Sequence, residues 1–229
     1  MLQALPATQS LIERAYQQLL EAIADGTLMP GQRIRQAELA DSLGVSRQPV
    51  SHALHLLKRQ GLVEETGGKG MRVVPLDPLR VMQLYQVREV VDGLAARLAA
   101  RRIAASRAAG PLPEVDVLKR QLAAGAAFDP ATPIPVLVRA DTDFHRTLYR
   151  LSGNPAIEEM TAPLWPHLMR SMATVLREPD YAALVWHQEH ASIVHHILAG
   201  DPVRAEAAAG DHANTAARLT AEQLQPRAA

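Results

Sequence analysis

The chain has 229 residues, 48% hydrophobic but only 3% aromatic, with 24 Lys/Arg balanced by 24 Asp/Glu and no cysteine. The absence of cysteine excludes disulfides, thiolate metal sites and cysteine nucleophiles, and fits a reducing cytoplasm. A net charge of zero argues against a protein that coats nucleic acid by bulk charge, while leaving room for a local basic surface. No apolar run reaches the roughly 18 residues of a membrane span. Residues 1–6 also lack the basic flank and long apolar core of a signal peptide, so a cytoplasmic protein free of the membrane is expected.

In chain order, Ser10 is placed to cap a helix over 11–24, with Leu11, Ala15, Leu19 and Ile23 as its apolar stripe. Gly26, Pro30 and Gly31 mark a turn. A short helix is predicted over 36–43, ending at Gly44. Another runs from Ser46 to Gln60, with Pro49 in its first turn, where a missing N–H costs nothing. The period then changes to that of two short strands, 62–65 and 71–74, joined by a glycine-rich turn over 66–70. Helix, helix, turn, helix and hairpin in that order predict a winged helix. Pro75 and Pro78 bracket a joint, which divides the chain into a winged helix-turn-helix domain, 1–76, and an all-α domain, 77–229. Six helical segments are predicted beyond the joint: 78–108, 112–127, 134–152, 155–176, 179–199 and 201–225, separated by Gly, Asp and Pro.

A helix-turn-helix reads DNA by placing one helix in the major groove while its neighbour braces it. Gly44 allows the tight turn, and Ser46 caps the second helix. Arg47 and Gln48 stand at that helix's N-terminal end, where arginine matches guanine and glutamine matches adenine. Ser51 and His52 follow one turn later, and Lys69 in the wing tip is suited to phosphates or the minor groove. Seven Lys/Arg against four Asp/Glu between Arg33 and Arg72 give this stretch a modest positive balance. Each residue alone would pass for an ordinary solvated side chain, but together and in order they favour binding to double-stranded DNA.

In the all-α part, Asp141 and His145 are four residues apart and share a helix face. His190 is in line with Ile193 and Ile197 and is expected to point inward, while His212 lies on the last helix. One Asp and three His converging from three helices would make a nitrogen/oxygen site for a divalent ion such as zinc, nickel or manganese. Spacing alone leaves His187 as a rival ligand, about 60° from His190 around a regular helix, and turns His195 away. Trp165 and Trp186 read as core.

The segment from Gly26 to Val74, with Gly26-Thr27-Leu28-Met29-Pro30-Gly31, Val45-Ser46-Arg47-Gln48-Pro49-Val50 and Gly61-Leu62-Val63, resembles the GntR family of bacterial regulators. The resemblance implies DNA contacts from Arg35, Arg47 and the Gly68-Lys69-Gly70 wing. Where the family usually carries Arg-Glu after Pro-Val, this chain has Ser51-His52, which puts one contact in doubt. Asp141-Thr142-Asp143-Phe144-His145, Ser152-Gly153-Asn154-Pro155, Glu189-His190 and His212 resemble the FCD effector domain of the FadR-type branch. That resemblance implies Asp141, His145, His190 and His212 as metal ligands beneath a pocket for small carboxylates such as organic or sugar acids. Six helices rather than seven would place the chain in a VanR-like subgroup.

Arg88, in a stretch resembling the arginine-bearing first helix of that domain, either grips an effector carboxylate in two-pronged fashion or pairs internally with Glu89 or Asp92. Asn214 and Arg170 are weaker candidates to line the same cavity. The reading is a homodimeric regulator binding a pseudo-palindromic operator, one winged helix per half-site, most simply as a repressor released by the acid. Two rivals remain: a metal-dependent hydrolase, for which no separate general base is evident, and an architectural DNA binder with a metal-stabilised dimerisation domain.

Overall fold

The computed structural model describes residues 10–67, 70–106, 110 and 112–225. The chain falls into two compact units, Met1–Pro75 and Leu76–Ala229. The fold is mainly α, with one small sheet in the first unit.

In the first unit, α1 (Leu11–Ala24) begins where the Ser10 hydroxyl accepts from the Glu13 amide at 3.2 Å, satisfying one of the otherwise unpaired first-turn donors. Ala15, Leu19 and Ile23 face the core, whereas Leu11, on the first turn, is exposed. The helices α2 (Gln36–Leu43) and α3 (Arg47–Arg59) are joined across Gly44, whose φ of +63° is the left-handed conformation a glycine adopts without penalty. Pro49, Val50, Ala53, Leu54 and Leu57 form the buried side of α3. They pack with Ile23, Leu62 and Val73 in a separate small core.

The wing holds three strands rather than two. β1 (Arg33–Ile34) pairs with β3 (Gly70–Val73), which pairs antiparallel with β2 (Val63–Thr66), giving the order β1-β3-β2. β1 is two residues long, too short for any alternation to betray it. Its partners, Arg33 with Arg72 and Ile34 with Met71, tie the segment entering α2 to the wing.

In the second unit, α4 (Pro78–Ser106) lies along α11 (Pro202–Leu224) in the most extensive helix pairing of the chain. Both helices are rich in small buried residues: Ala95, Ala96, Ala99 and Ala100 on α4, and Ala205, Ala209, Ala213, Ala216 and Ala217 on α11. Alanine removes little apolar area from water per residue, but it lets the backbones approach closely and keeps the dispersion contacts dense. A Cβ on Gly93 would meet Glu206 at 3.4 Å, which marks the closeness of that approach.

α6 (Ile134–Leu151) packs against α4 and against α5 (Pro113–Ala126), and is amphipathic with Leu137, Val138, Phe144, Leu148 and Leu151 buried. The fourth and fifth helical stretches are interrupted. α7 (Pro155–Thr161) passes through a 3₁₀ turn (Ala162–Leu164) into α8 (Trp165–Val175), where Pro163 and Pro166 lack the N–H groups a continuous helix would use. α9 (Pro179–Leu184) leads through a π-turn (Val185–Glu189) into α10 (His190–Ala199). Among the described residues, no helix is long and apolar enough to cross a membrane.

Candidate metal centre

The carboxylate of Asp141 and the rings of His145, His190 and His212 are all buried, and one ligand-capable atom from each lies within 4.8 Å of the others. α6 supplies two of them because residues four apart share a helix face. α10 supplies His190 as its first residue, and α11 supplies His212. His190 Nε2 is 3.4 Å from Asp141 Oδ1, His145 Nε2 is 3.8 Å from Asp141 Oδ2, and the Nε2 atoms of His145 and His212 are 3.3 Å apart.

The tautomers follow from the partners. His212 Nδ1 is 2.7 Å from Glu189 Oε2, and a carboxylate only accepts, so His212 donates from Nδ1 and keeps its lone pair on Nε2. Arg88 Nη2, which only donates, lies 2.5 Å from His145 Nε2, so that nitrogen too carries a lone pair. The proton of His145 is then on Nδ1, 3.2 Å from Asp92 Oδ2 but out of line for a hydrogen bond. Neither ring nitrogen of the wholly buried His190 has a hydrogen-bond partner, an arrangement that costs about 1–3 kcal/mol unless something else satisfies it.

Two lone pairs, a carboxylate and an unsatisfied imidazole thus converge on one point, a set that could hold a cation. In the structure Arg88 Nη2 lies against that set, 3.4 Å from His212 Nε2 and 3.9 Å from Asp141 Oδ2. The donor set fits a borderline divalent ion, with oxygen and imidazole nitrogen ligands and no thiolate.

Electrostatics favour the neutral form of His145 and His190. Burial, then the Arg88 charge, lowers the pKa of His145, only partly opposed by Asp92. Burial, reinforced by His212, His145 and Arg88, lowers that of His190 well below the usual range. Burial pushes the Asp92 carboxyl up, but His145 and Arg88 together outweigh it and hold the group ionised. Burial lowers Arg170, on α8, to about 10.

Around this set, His190 stacks on Phe144 at 3.9 Å between ring centroids and meets the edge of Trp186 at 4.6 Å. Trp186 is in turn pressed against the bare face of Gly125, where a Cβ would collide with the indole. Both tryptophans are core.

The residues singled out from sequence separate clearly. Asp141, His145, His190 and His212 come together, and Arg88 joins them. Arg88 is paired with Asp92, its Nε donating to Oδ2 at 3.1 Å, and not with Glu89. His187, the rival ligand, is exposed, because the π-turn widens the helix and alters the angular offset on which that expectation rested. His195 is exposed as well. Asn214 has to be corrected: it is exposed, since two residues beyond His212 corresponds to about 200° around a helix and carries it away from the site. Glu189, Tyr149 and Tyr181 were missed as supports of the histidines, and Asp92 was weighed only as a partner of Arg88. The contacts Tyr149–Asp92 and His212–Glu189 span 57 and 23 residues, and only the packing makes them.

On the first unit, Arg47, Gln48 and His52 are exposed and Ser51 is half-buried on α3. Ser46 takes the N-cap position, but its side chain makes no capping hydrogen bond, a correction to the expected cap. Arg35 stands at the head of α2 in an exposed pair with Glu38 at 2.7 Å, a solvent-screened surface pair readily exchanged for another anion. Gly70 opens β3, while Gly68 and Lys69 lie outside the described residues.

Comparison with known proteins gives a consistent picture. The family model "FCD domain" matches residues 83–215, and "Bacterial regulatory proteins, gntR family" matches residues 11–73. The chain is 30% identical over 146 residues to the uncharacterized HTH-type transcriptional regulator YdhC of Bacillus subtilis, a match spanning 63% of this chain and 62% of that protein. It is also 30% identical over 192 residues to the "Probable D-xylose utilization operon transcriptional repressor" of Paenarthrobacter nicotinovorans, covering 83% of this chain and 80% of that one. Among solved structures, E. coli McbR/YncC shares the fold with a TM-score of 0.78 at 17% identity, covering 95% of this chain and all of that one.

Proposed function

The chain belongs to the GntR family of bacterial regulators, with an FCD domain following its DNA-binding domain, and from that membership we propose that it is a repressor released by a small carboxylate bound at a metal-containing pocket. Its family and relatives are transcriptional regulators rather than enzymes, so the hydrolase reading of the same residues is dropped. Residues 1–76 read operator DNA, and residues 77–229 bind the effector and make a homodimer, one winged helix per half-site. The observation that carries the metal half of the reading is the buried convergence of Asp141, His145, His190 and His212.

A divalent ion held there supplies a positive anchor for an anionic effector, and the Arg88 guanidinium beside it adds two-pronged selectivity for a carboxylate. For the acid to act as a switch it must prefer one arrangement of the dimer, and a tenfold change in operator affinity needs about 1.4 kcal/mol of such preference. Repressor polarity is supported by the likeness to the Paenarthrobacter protein, itself a probable transcriptional repressor.

On the DNA side, Arg47 and Gln48 read base edges, while Ser46, Ser51, His52, Arg35 and the wing residues Gly68, Lys69 and Gly70 set the position on the backbone and minor groove. Arg47→Ala is expected to cost about 1–3 kcal/mol of operator affinity, roughly 5- to 150-fold, and to relax the preference at one base pair. The check is fluorescence anisotropy at physiological salt, with duplex from the protein's own upstream region against random duplex. Wild-type protein that shows no preference between the two would contradict the proposal.

A further inference from the structure

Two of the three buried histidines have a tyrosine–carboxylate pair behind Nδ1, hydrogen-bonded to the ring at His212 and close to it without a hydrogen bond at His145. Tyr149 Oη donates to Asp92 Oδ1 at 2.5 Å, and Asp92 Oδ2 lies 3.2 Å from His145 Nδ1. Tyr181 Oη donates at 3.3 Å to Glu189 Oε2, which accepts from His212 Nδ1 at 2.7 Å. Both pairs approach from outside the cluster, leaving Nε2 to face inward. The third histidine has no carboxylate behind it and is held by the Phe144 stack and the Trp186 edge instead.

We infer that Tyr181–Glu189–His212 is a positioning chain, which fixes the His212 imidazole in the Nδ1–H form and aims its Nε2 lone pair at a metal ion, while Tyr149 and Asp92 back His145 by charge and proximity alone. The inference deepens the metal reading above and rests on it. The physical ground is general: an imidazole that donates its outer N–H to a carboxylate is locked in tautomer and ring orientation, and its inner nitrogen becomes a better ligand. The tyrosine hydroxyl does the same one step further out, by fixing the carboxylate's rotamer.

The two pairs have unequal duties. Asp92 is sealed in the core and also holds Arg88, so altering it disturbs the fold. Glu189 keeps 16% side-chain exposure and borders a groove of about 380 Å³ between α10 and α11, lined also by Gln188, Ser192, His196, Arg204 and Asp211. It can therefore be changed without leaving a charge stranded in the core. The π-turn contributes here, since Glu189 ends it and His190 follows at once, so one irregular turn delivers a positioning group and a candidate ligand side by side.

The test uses full-length protein with Glu189→Leu, Glu189→Gln and Tyr181→Phe. Zinc affinity is read by competition with a chromogenic chelator, and the His212 tautomer by long-range ¹H–¹⁵N spectra of chelator-stripped protein at neutral pH. Glu189→Leu is expected to weaken zinc binding by about 10–100-fold and to turn His212 from the Nδ1–H form into a mixture, with helix content by circular dichroism unchanged. Glu189→Gln keeps an acceptor, so it rescues the tautomer and recovers part of the affinity, and Tyr181→Phe gives a smaller loss than Glu189→Leu. If Glu189→Leu binds zinc within about twofold of wild type, or keeps His212 in the Nδ1–H form, the inference is overturned. Wild-type protein that takes up no zinc overturns the metal reading instead, and the spectra then still decide whether Glu189 sets the tautomer.

Discussion

Replacing His190 by alanine is expected to abolish tight metal binding, with a loss greater than the roughly 10–100-fold that removal of an outer-shell partner costs. His190 is wholly buried, points both ring nitrogens at no hydrogen-bond partner, and lies 3.4 Å from Asp141. Burial lowers its pKa well below the usual range, which leaves the ring neutral with a lone pair available to a metal ion. The substitution also removes the stack on Phe144 and opens a cavity, so a lower melting temperature alone proves little. The diagnostic quantity is the stabilisation that zinc confers. A ligand at 100 times its Kd adds about 2.7 kcal/mol to a native state, and that increment should be present in wild type and missing in His190→Ala. His187→Ala serves as the control. His187 is only three residues away but exposed, so its replacement should leave zinc binding unchanged.

The second large effect concerns Asp92. Asp92→Ala is expected to destabilise the C-terminal unit by about 3–5 kcal/mol, because it strands the Arg88 guanidinium in the core and removes the acceptor of Tyr149. A buried pair is costly to break from one side but less so to replace as a whole. The double variant Arg88→Met/Asp92→Leu should therefore recover much of the stability in urea denaturation while losing any response to a carboxylate. A double variant no more stable than Asp92→Ala would mean that the pair is not the source of the loss.

The pH dependence follows with a definite sign. The Asp92 pKa is held below its ordinary value of 3.8, so the unfolded chain binds the proton more readily than the folded one. Its contribution to stability is fully present above that value and drains away only as the pH falls below it. The acid limb of the wild-type stability curve should flatten in the double variant.

Much of this architecture can be read from local chemistry. Gly44, Ser46, Pro49 and Gly61 punctuate the helix-turn-helix, because each position needs a particular backbone conformation or lacks a hydrogen-bond partner. Asp141 and His145 declare themselves through helical periodicity, and His190 through its alignment with Ile193 and Ile197. Periodicity fails where the helix is irregular. The π-turn before His190 changes the angular relation on which His187 was weighed. Asn214 is exposed, because two residues beyond His212 does not share its face on α11.

The strand Arg33–Ile34 is too short to carry a pattern, and only its partner on β3 defines it. Asp92 and Glu189 carry no spacing signal toward the histidines they back, since those contacts are made across helices by packing. What remains hidden from sequence is thus the outer layer of the site, the part fixed by tertiary neighbours rather than by the local chain.

The most direct measurement is operator affinity by fluorescence anisotropy, with zinc-loaded and chelator-stripped protein each titrated with a panel of small organic and sugar acids. The account predicts that at least one acid weakens operator binding by the zinc-loaded protein about tenfold or more, a coupling of about 1.4 kcal/mol, and that the stripped protein does not respond. An equal response with and without zinc, or no response to any acid in either form, would contradict it.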